Sequence, residues 1–419
     1  MNIETLYNIY SKHFLVDTDT RKIRKNTLYF ALKGANFNGN QFADEALKKG
    51  ALYSIVDEVK YVTSSTIILV DDVLETLQKL AIHHRNTLNV PIIGLTGSNG
   101  KTTTKELINA VLSTQFKTSA TVGNLNNHIG VPLTLLAMTP ETEIGIVEMG
   151  ANHPTEIEFL CAIANPDFGY ITNFGKAHLE GFGSIEGVIE AKSELYQYLK
   201  EKNKTAFVNP EDTLQIEKTK HQNTAFFDDS ISFIDANPFV KVQVNHLTIQ
   251  TNLIGKYNFS NIAAAVSIGL YFNISIDNIK TALEKYTPTN NRSQIIKTKH
   301  NNTIILDAYN ANPTSMKAAI DAFSLIDSKL KTVILGDMFE LGEISSLEHQ
   351  NLAEEISARD FNNCILIGEL LFETNSTCNR FQSFDEATTY IRSLDLNNHY
   401  ILIKGSRGMA LERILNFIN

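Results

Sequence analysis

Residues 90 to 106 run Val90-Pro-Ile-Ile-Gly-Leu-Thr-Gly-Ser-Asn-Gly-Lys-Thr-Thr-Thr-Lys-Glu106, an apolar run, a glycine-punctuated loop and a hydroxyl-rich helix start. Few folds accept such a segment, because the strand must feed a tight turn whose backbone N–H groups converge at a helix N-terminus. Gly94, Gly97 and Gly100 free the backbone to turn inward, Lys101 offers a cation, and the Thr102 hydroxyl suits a hard metal ion. Leu107, Ile108, Val111 and Leu112 then recur at helical spacing. Residues Thr96, Gly97, Ser98, Asn99, Gly100, Lys101, Thr102 and Thr103 are therefore read as a phosphate cradle for ATP with Mg²⁺. The common loop pattern has glycine where this chain has Leu95, and a glycine-rich surface turn is the alternative reading.

The 419 residues exceed one usual core, so two or three domains are expected. A net charge of −9 disfavours nonspecific nucleic-acid binding, and 43% hydrophobic content is ordinary globular material. No stretch of about 18 apolar residues is present, and Met1-Asn-Ile-Glu-Thr-Leu-Tyr7 lacks a basic and apolar leader. A cytoplasmic protein without membrane insertion is expected. Cys161, Cys364 and Cys378 lack paired spacing and are read as buried thiols, with neither a disulfide framework nor a zinc site.

The expected organisation is α/β in three domains. Residues 1–88 form a small α/β unit, with strands at 27–31 and 66–70, a helix at 42–49 closed by Gly50, and a polar amphipathic helix at 72–87. Residues 89–289 form a central parallel-sheet domain, with strands at 145–149, 169–172 and 205–208 and helices at 155–163, 185–199 and 258–272. Residues 287–291 read as a linker. Residues 290–419 form a Rossmann-like unit without a dinucleotide fingerprint, with strands at 303–306, 332–335, 364–367 and 400–403.

In open parallel sheets, ligands gather at the carboxyl ends of strands. Glu148 ends one strand and so faces the cradle, with a Mg²⁺ ligand as its natural role. His178, in Asn173-Phe-Gly-Lys-Ala-His-Leu-Glu180, follows another strand to the same edge. Lys192, in Ile189-Glu-Ala-Lys-Ser-Glu194, lies on a helix, where composition favours a solvated surface cation.

The cradle, the run from Glu148, the 173–183 segment and Lys192 together resemble the Mur ligase family, ATP-dependent amide ligases of bacterial cell-wall synthesis. The resemblance implies that Lys101, Glu148, His178 and Lys192 are catalytic. It also implies that Thr102, Glu148, His178 and a carbamylated Lys192 hold Mg²⁺ at two sites. Gly255-Lys-Tyr-Asn-Phe-Ser-Asn261 resembles the stretch whose Asn258 and Asn261 reach adenine, and Asn258 also suits a helix N-cap. Arg292 resembles a phosphate-contacting arginine, with Asn291 in place of the usual glycine before it. Asp307 resembles the ribose-binding carboxylate, with Leu306 where relatives often have a second aspartate.

The runs Asp307-Ala-Tyr-Asn-Ala-Asn-Pro-Thr-Ser-Met316, Leu335-Gly-Asp-Met-Phe-Glu-Leu-Gly342 and Ile403-Lys-Gly-Ser-Arg-Gly-Met409 resemble the family branch that adds the last amino acids. That branch implies two substrates, UDP-N-acetylmuramoyl-tripeptide and D-alanyl-D-alanine, joined through an acyl phosphate with release of ADP and phosphate. Asn310, Asn312, Lys404, Ser406 and Arg407 are then candidates for the dipeptide carboxylate. Thr20, Arg21, Lys33 and Gly34 resemble the uridine-diphosphate site, with Asn126 and Asn127 lining the muramoyl-peptide channel. Relatives commonly have Asp-Gly-His where this chain has Asn38-Gly-Asn40, which reduces charge at that edge. A monomer is expected. A folylpolyglutamate synthetase, an earlier ligase of the same pathway and a noncatalytic ATP-binding regulator are the competing readings.

Overall fold

The computed structural model describes residues 1–418; Asn419, the last residue of the expected third unit, lies outside the described residues. Three wholly or mainly parallel sheets follow one another along the chain. In the first, Val16–Asp17, Leu28–Phe30, Tyr53–Val56 and Ile67–Leu69 lie side by side in that order, all parallel. The helix Val73–Thr87 begins where the Asp72 carboxylate accepts from Glu75 N. It does not stand free. Its Leu77, Leu80 and Ala81 share one apolar core with Leu135, Leu136 and Leu160 of the central domain. Arg85 donates to the carbonyls of Ala164 at 3.0 Å and Asn165 at 2.8 Å, and pairs with Asp167 at 2.8 Å.

The second sheet is entirely parallel, ordered Asn223–Phe226, Thr205–Val208, Phe168–Ile171, Ile92–Thr96, Ile144–Glu148, Thr118–Ala120. Ile92–Thr96 is central because every one of its residues is buried, as a strand covered on both faces requires. From that strand the chain goes to the edge at Thr118–Ala120, returns to Ile144–Glu148 beside the central strand, then crosses to the other side at Phe168–Ile171. This reversal opens a crevice at the carboxyl ends, directly above the cradle. Below it, Leu107, Ile108, Val111 and Leu112 of the helix Lys101–Leu112 are fully buried, each worth roughly 1.5–3 kcal/mol of transfer free energy. They pack with Ile262, Val266 and Ile268 of the helix Phe259–Tyr271.

Several strands lie outside the sequence expectation, among them a complete small sheet. Ile231–Ala236, Phe239–Val244 and Leu247–Ile254 form an antiparallel sheet that buries Val240, Val242 and Val244 at every second position.

The third sheet is ordered Gln294–Lys297, Thr303–Asp307, Tyr400–Lys404, Lys331–Gly336, Asn363–Ile367, Asn379–Phe381. It is parallel except for its first strand, which pairs antiparallel with Thr303–Asp307. Here the reading of all cysteines as thiols is corrected: Cys364 and Cys378 form a disulfide, and only Cys161 is a buried free thiol. The reason is register. Ile365 pairs with Asn379 on neighbouring parallel strands, which sets the two preceding cysteines side by side.

Candidate active site

The cradle departs from the strand at Thr96 and turns through Gly97 and Gly100, whose φ angles are +137° and +80°. A Cβ on Gly97 would stand 2.0 Å from Thr172 Oγ1, and one on Gly100 would stand 2.7 Å from Asn261 Oδ1. At both positions a side chain would be strained by the backbone and crowded by its neighbours, most severely at Gly97. The loop is tied to the next strand's exit: Ser98 N donates to Asn173 O at 3.1 Å, Asn99 N to Asn173 Oδ1 at 3.0 Å, and Thr172 Oγ1 to Asn99 O at 2.6 Å. Thr172 carries no motif of its own, and Asn173 opens the quoted 173–183 segment without an assigned role, so sequence reasoning missed what both of them do.

Lys101 opens the helix and folds back, donating to the Gly97 carbonyl at 2.6 Å. Burial holds its ammonium below the ordinary lysine value, the Glu148 carboxylate opposes this, and Arg292 adds to it by repulsion. Lys192 is pushed well below the ordinary value by burial first and by Lys101 second. Lys101 and Arg292 thus line one cleft, with Lys192 buried near enough to feel the Lys101 charge, an arrangement that a polyanion would relieve. Within the cradle, the buried Thr96 Oγ1 and Asn99 Nδ2 have no protein partner.

Thr102 Oγ1 donates to Glu148 Oε2 at 2.9 Å, and Asn126 Nδ2 donates to Glu148 Oε1 at 2.8 Å. Glu148 N is held in turn by Thr121 Oγ1 at 2.9 Å. The hydroxyl and the carboxylate form a pair of hard oxygen donors beside the cradle, which suits Mg²⁺, an ion that takes one or two carboxylates and completes its shell with phosphate and water. Among the described residues, no three His, Cys, Asp or Glu side chains gather as a self-sufficient metal cluster.

Lys192 is no surface cation. It is fully buried, donates to Ala151 O at 2.9 Å, and lies 4.9 Å from the centre of the Phe182 ring. Its place was legible: Lys192 lies four residues after Val188 and three before Leu195, on the helix's buried face. Its burial disfavours the charged ammonium.

One cleft of about 540 Å³ gathers Ser98 to Thr103, Glu148, Asn126, Asn127 and His178 with Asn258, Asn261, Arg292, Asp307, Asn310 and Lys404. The third domain therefore supplies one wall. Arg292 lies over the Tyr309 ring, 3.7 Å from its centre. Asn258 and Asn261 are buried at the cleft floor, where Asn261 Nδ2 donates to Asn258 Oδ1 at 2.8 Å. The N-cap reading of Asn258 is corrected, since its amide donates back to Ile254 O at 2.8 Å and makes no cap hydrogen bond.

The remaining predicted residues are more scattered. Asn312 caps the helix Pro313–Ser324 and reaches Asn99 Oδ1 at 2.8 Å across the cleft. Ser406 Oγ accepts from Phe339 N at 2.9 Å, while Arg407 is exposed and paired with Glu412. In the first domain Arg21 pairs with Asp19, Lys33 with Asp57 at 3.0 Å, and Gly34 is exposed. The Thr20 carbonyl accepts from Lys49. None of these four lines the 540 Å³ cleft. Asn40 is wholly buried and bonded to Asp57 and Asn38, so Asn38-Gly-Asn40 is a structural turn. His178 Nδ1 is hydrogen-bonded to the carboxylate of Glu340, a residue to which the sequence assigned no role although it sits in the quoted run 335–342.

Comparison with known proteins agrees with this geometry. Residues 13–90 match the Mur ligase family catalytic domain, 95–269 the Mur ligase middle domain, and 291–407 the Mur ligase glutamate ligase domain. The UDP-N-acetylmuramoyl-tripeptide–D-alanyl-D-alanine ligase of Bacillus subtilis is 37% identical, covering 96% of this chain and 92% of its own. The crystal structure of MurF from Acinetobacter baumannii superposes with a TM-score of 0.86 at 29% identity, covering 96% of this chain and 92% of its own. MurF from Thermotoga maritima, solved in complex with ADP, gives 0.84 at 28% identity over 96% of each chain. No described helix is long and apolar enough to cross a membrane. With its loop, its carboxylate and its third-domain wall facing one cleft, and with family models matched along most of its length, the chain belongs to the Mur ligase family and is of the MurF type.

Proposed function

We propose that this chain joins D-alanyl-D-alanine to UDP-N-acetylmuramoyl-tripeptide at the cost of ATP, releasing ADP and phosphate, as a cytoplasmic step of peptidoglycan precursor synthesis. The observation that carries the reading is the single cleft in which the cradle 98–103 and Glu148 face Arg292 and Asp307 of the third domain. The domain roles follow the sequence: 1–88 for the UDP-muramoyl group, 89–289 for ATP, and 290–419 for closing on ATP and holding the dipeptide.

The tripeptide carboxylate oxygen attacks the γ-phosphorus, and the bond from that phosphorus to the β–γ bridging oxygen breaks, so ADP leaves. The dipeptide amine then attacks the acyl carbon, the carbon–oxygen bond to phosphate breaks, and the amine loses its proton. A free carboxylate has no good leaving group, whereas phosphate leaves readily once its charge is neutralised. Lys101 and Arg292 meet the transferring phosphoryl group, and no side chain acts as a covalent nucleophile. Thr102 and Glu148 would hold one Mg²⁺, and His178 with a carbamylated Lys192 a second, where such ions would supply neutralisation of phosphate charge. Asn258 and Asn261 face adenine, Asp307 the ribose, and Asn310, Asn312, Lys404, Ser406 and Arg407 the dipeptide side. Thr20, Arg21, Lys33 and Gly34 meet the diphosphate, with Asn126 and Asn127 along the peptide channel. The chain would work as a monomer.

The test is ligation with tripeptides carrying lysine or diaminopimelate at the third position, read by product mass. Phosphate release that requires both the tripeptide and D-alanyl-D-alanine is expected. Release with neither, or acceptance of a folate and glutamate instead, would overturn the reading.

A further inference from the structure

We propose that Glu340 is a positioning residue for His178, delivered across the cleft by the third domain; the proposal rests on the assignment of His178 to metal. The loop that carries Glu340 is fixed within its own domain. Ser406 N donates to Asp337 O at 3.1 Å, Phe339 N to Ser406 Oγ at 2.9 Å, and Met338 N to His349 Nε2 at 3.0 Å. The Asp337 carboxylate accepts from Leu370 N at 3.1 Å and Leu371 N at 2.9 Å. At the tip Glu340 has φ +63°, in the left-handed region that a side-chain-bearing residue holds only where its surroundings over-determine it. Across the cleft His178 is likewise left-handed, at +53°. The Glu340 carbonyl accepts from Glu180 N at 3.3 Å, and its carboxylate takes His178 Nδ1.

This pairing adds little adhesion, since the Glu340 side chain is 51% exposed. Its effect is on the ring. With Nδ1 engaged by a carboxylate, the imidazole is fixed in one orientation, and Nε2 is the nitrogen left for the cleft that His178 lines. Metal-binding histidines commonly donate their second ring N–H to such an acceptor, which fixes the tautomer and raises basicity. In this protein the acceptor comes from the other domain. Closure therefore completes the histidine as a ligand, and opening releases it. A separate contact between the same two domains, Lys176 Nζ to Glu348 Oε1 at 2.7 Å, lies outside the cleft and does not engage His178 Nδ1.

The test measures Mn²⁺ affinity by electron paramagnetic resonance, with a non-hydrolysable ATP analogue and the UDP-tripeptide present. Glu340→Ala is expected to weaken Mn²⁺ binding about 10- to 100-fold, as loss of an outer-shell partner does. Glu340→Gln, which keeps an acceptor oxygen, recovers most of that loss, and Lys176→Ala stays near the parent protein. In a His178→Ala background, Glu340→Ala adds nothing. Equal weakening by Glu340→Ala and Lys176→Ala, or an additive loss in the double variant, would reduce Glu340 to a closure contact and overturn the proposal. Parent-like Mn²⁺ affinity in His178→Ala would instead overturn the metal assignment, and the proposal with it.

Discussion

Asp307 and Lys404 stand opposite each other on adjacent parallel strands, with Lys404 Nζ 2.6 Å from Asp307 Oδ2. Lys404 also donates to Asn310 O at 3.1 Å, and Asp307 Oδ1 accepts from Ser293 N at 3.1 Å. One residue expected at the ribose and one expected at the dipeptide are thus bonded to each other, which links the two ends of the third-domain wall.

The Lys404 side chain is 2% exposed and that of Asp307 18%. Removing either partner strands a charge in a setting where a broken buried pair costs roughly 3–5 kcal/mol. The partial exposure of Asp307 places the expected loss near the lower end, about 3 kcal/mol. We predict that Asp307→Ala and Lys404→Ala each lower the unfolding midpoint markedly. The double variant should lose less than the sum of the two, as groups sharing one interaction do. Additive losses in a double-mutant cycle would show that the pair is not a unit. Asp307→Asn is the gentler probe of ribose binding, read as a change in KM for ATP.

Lys101→Ala should lower turnover by on the order of 10² or more, the usual effect of losing one transition-state donor. Gly97→Ala should abolish nucleotide binding, because φ +137° is unfavourable for alanine and its Cβ would meet Thr172 Oγ1 at 2.0 Å. Gly123, at φ +58° with open space around its Cβ, is the comparison position. There an alanine carries only the modest strain of roughly 1–2 kcal/mol. Titration calorimetry with ADP distinguishes the two, and near-normal binding by Gly97→Ala would contradict the cradle assignment.

Asn312 serves two purposes that one substitution can separate. Its side chain accepts from Ser315 N at 2.9 Å as a helix cap and donates to Asn99 Oδ1 at 2.8 Å across the cleft. Serine caps about as well as asparagine but is too short to reach Asn99. We expect Asn312→Ser to keep stability within a few tenths of a kcal/mol while favouring the open arrangement. Small-angle scattering with nucleotide and substrate should then report a larger radius of gyration than the parent gives, with KM for ATP raised. Identical scattering from both proteins would show that the amide pair does not contribute to closure.

Local chemistry was legible in the sequence, whereas long-range pairing was not. The cradle could be read because glycines, lysine and threonine act through spacing within a few residues. The central strand at Ile92–Thr96 could be read because a fully covered strand is continuously apolar. Lys192 was misjudged by composition alone, although its spacing from Val188 and Leu195 already placed it on the buried face. The alternation of Val240, Val242 and Val244 was equally present and unread. The Asp307–Lys404, His178–Glu340 and Cys364–Cys378 pairs depend on strand register or domain docking, which no local pattern encodes.

The first and central domains meet at His84, which supplies a pH dependence whose sign can be worked out. His84 is fully buried between Tyr7, Tyr10 and Phe14, and its Nε2 lies 3.0 Å from Met138 O. Burial pushes its pKa from 6.5 down to about 4, against the pull of the Met138 carbonyl. Between those values the unfolded chain binds a proton that the folded chain refuses. This contribution to stability is therefore complete above about pH 6.5 and is lost as pH falls toward 4, by on the order of 3 kcal/mol. His84→Gln keeps a donor for Met138 O without the titrating ring. We predict that it lowers the thermal midpoint at pH 7.5 but narrows the gap between the midpoints at pH 7.5 and pH 4.5. An unchanged gap would show that the acid sensitivity of this junction resides in another group.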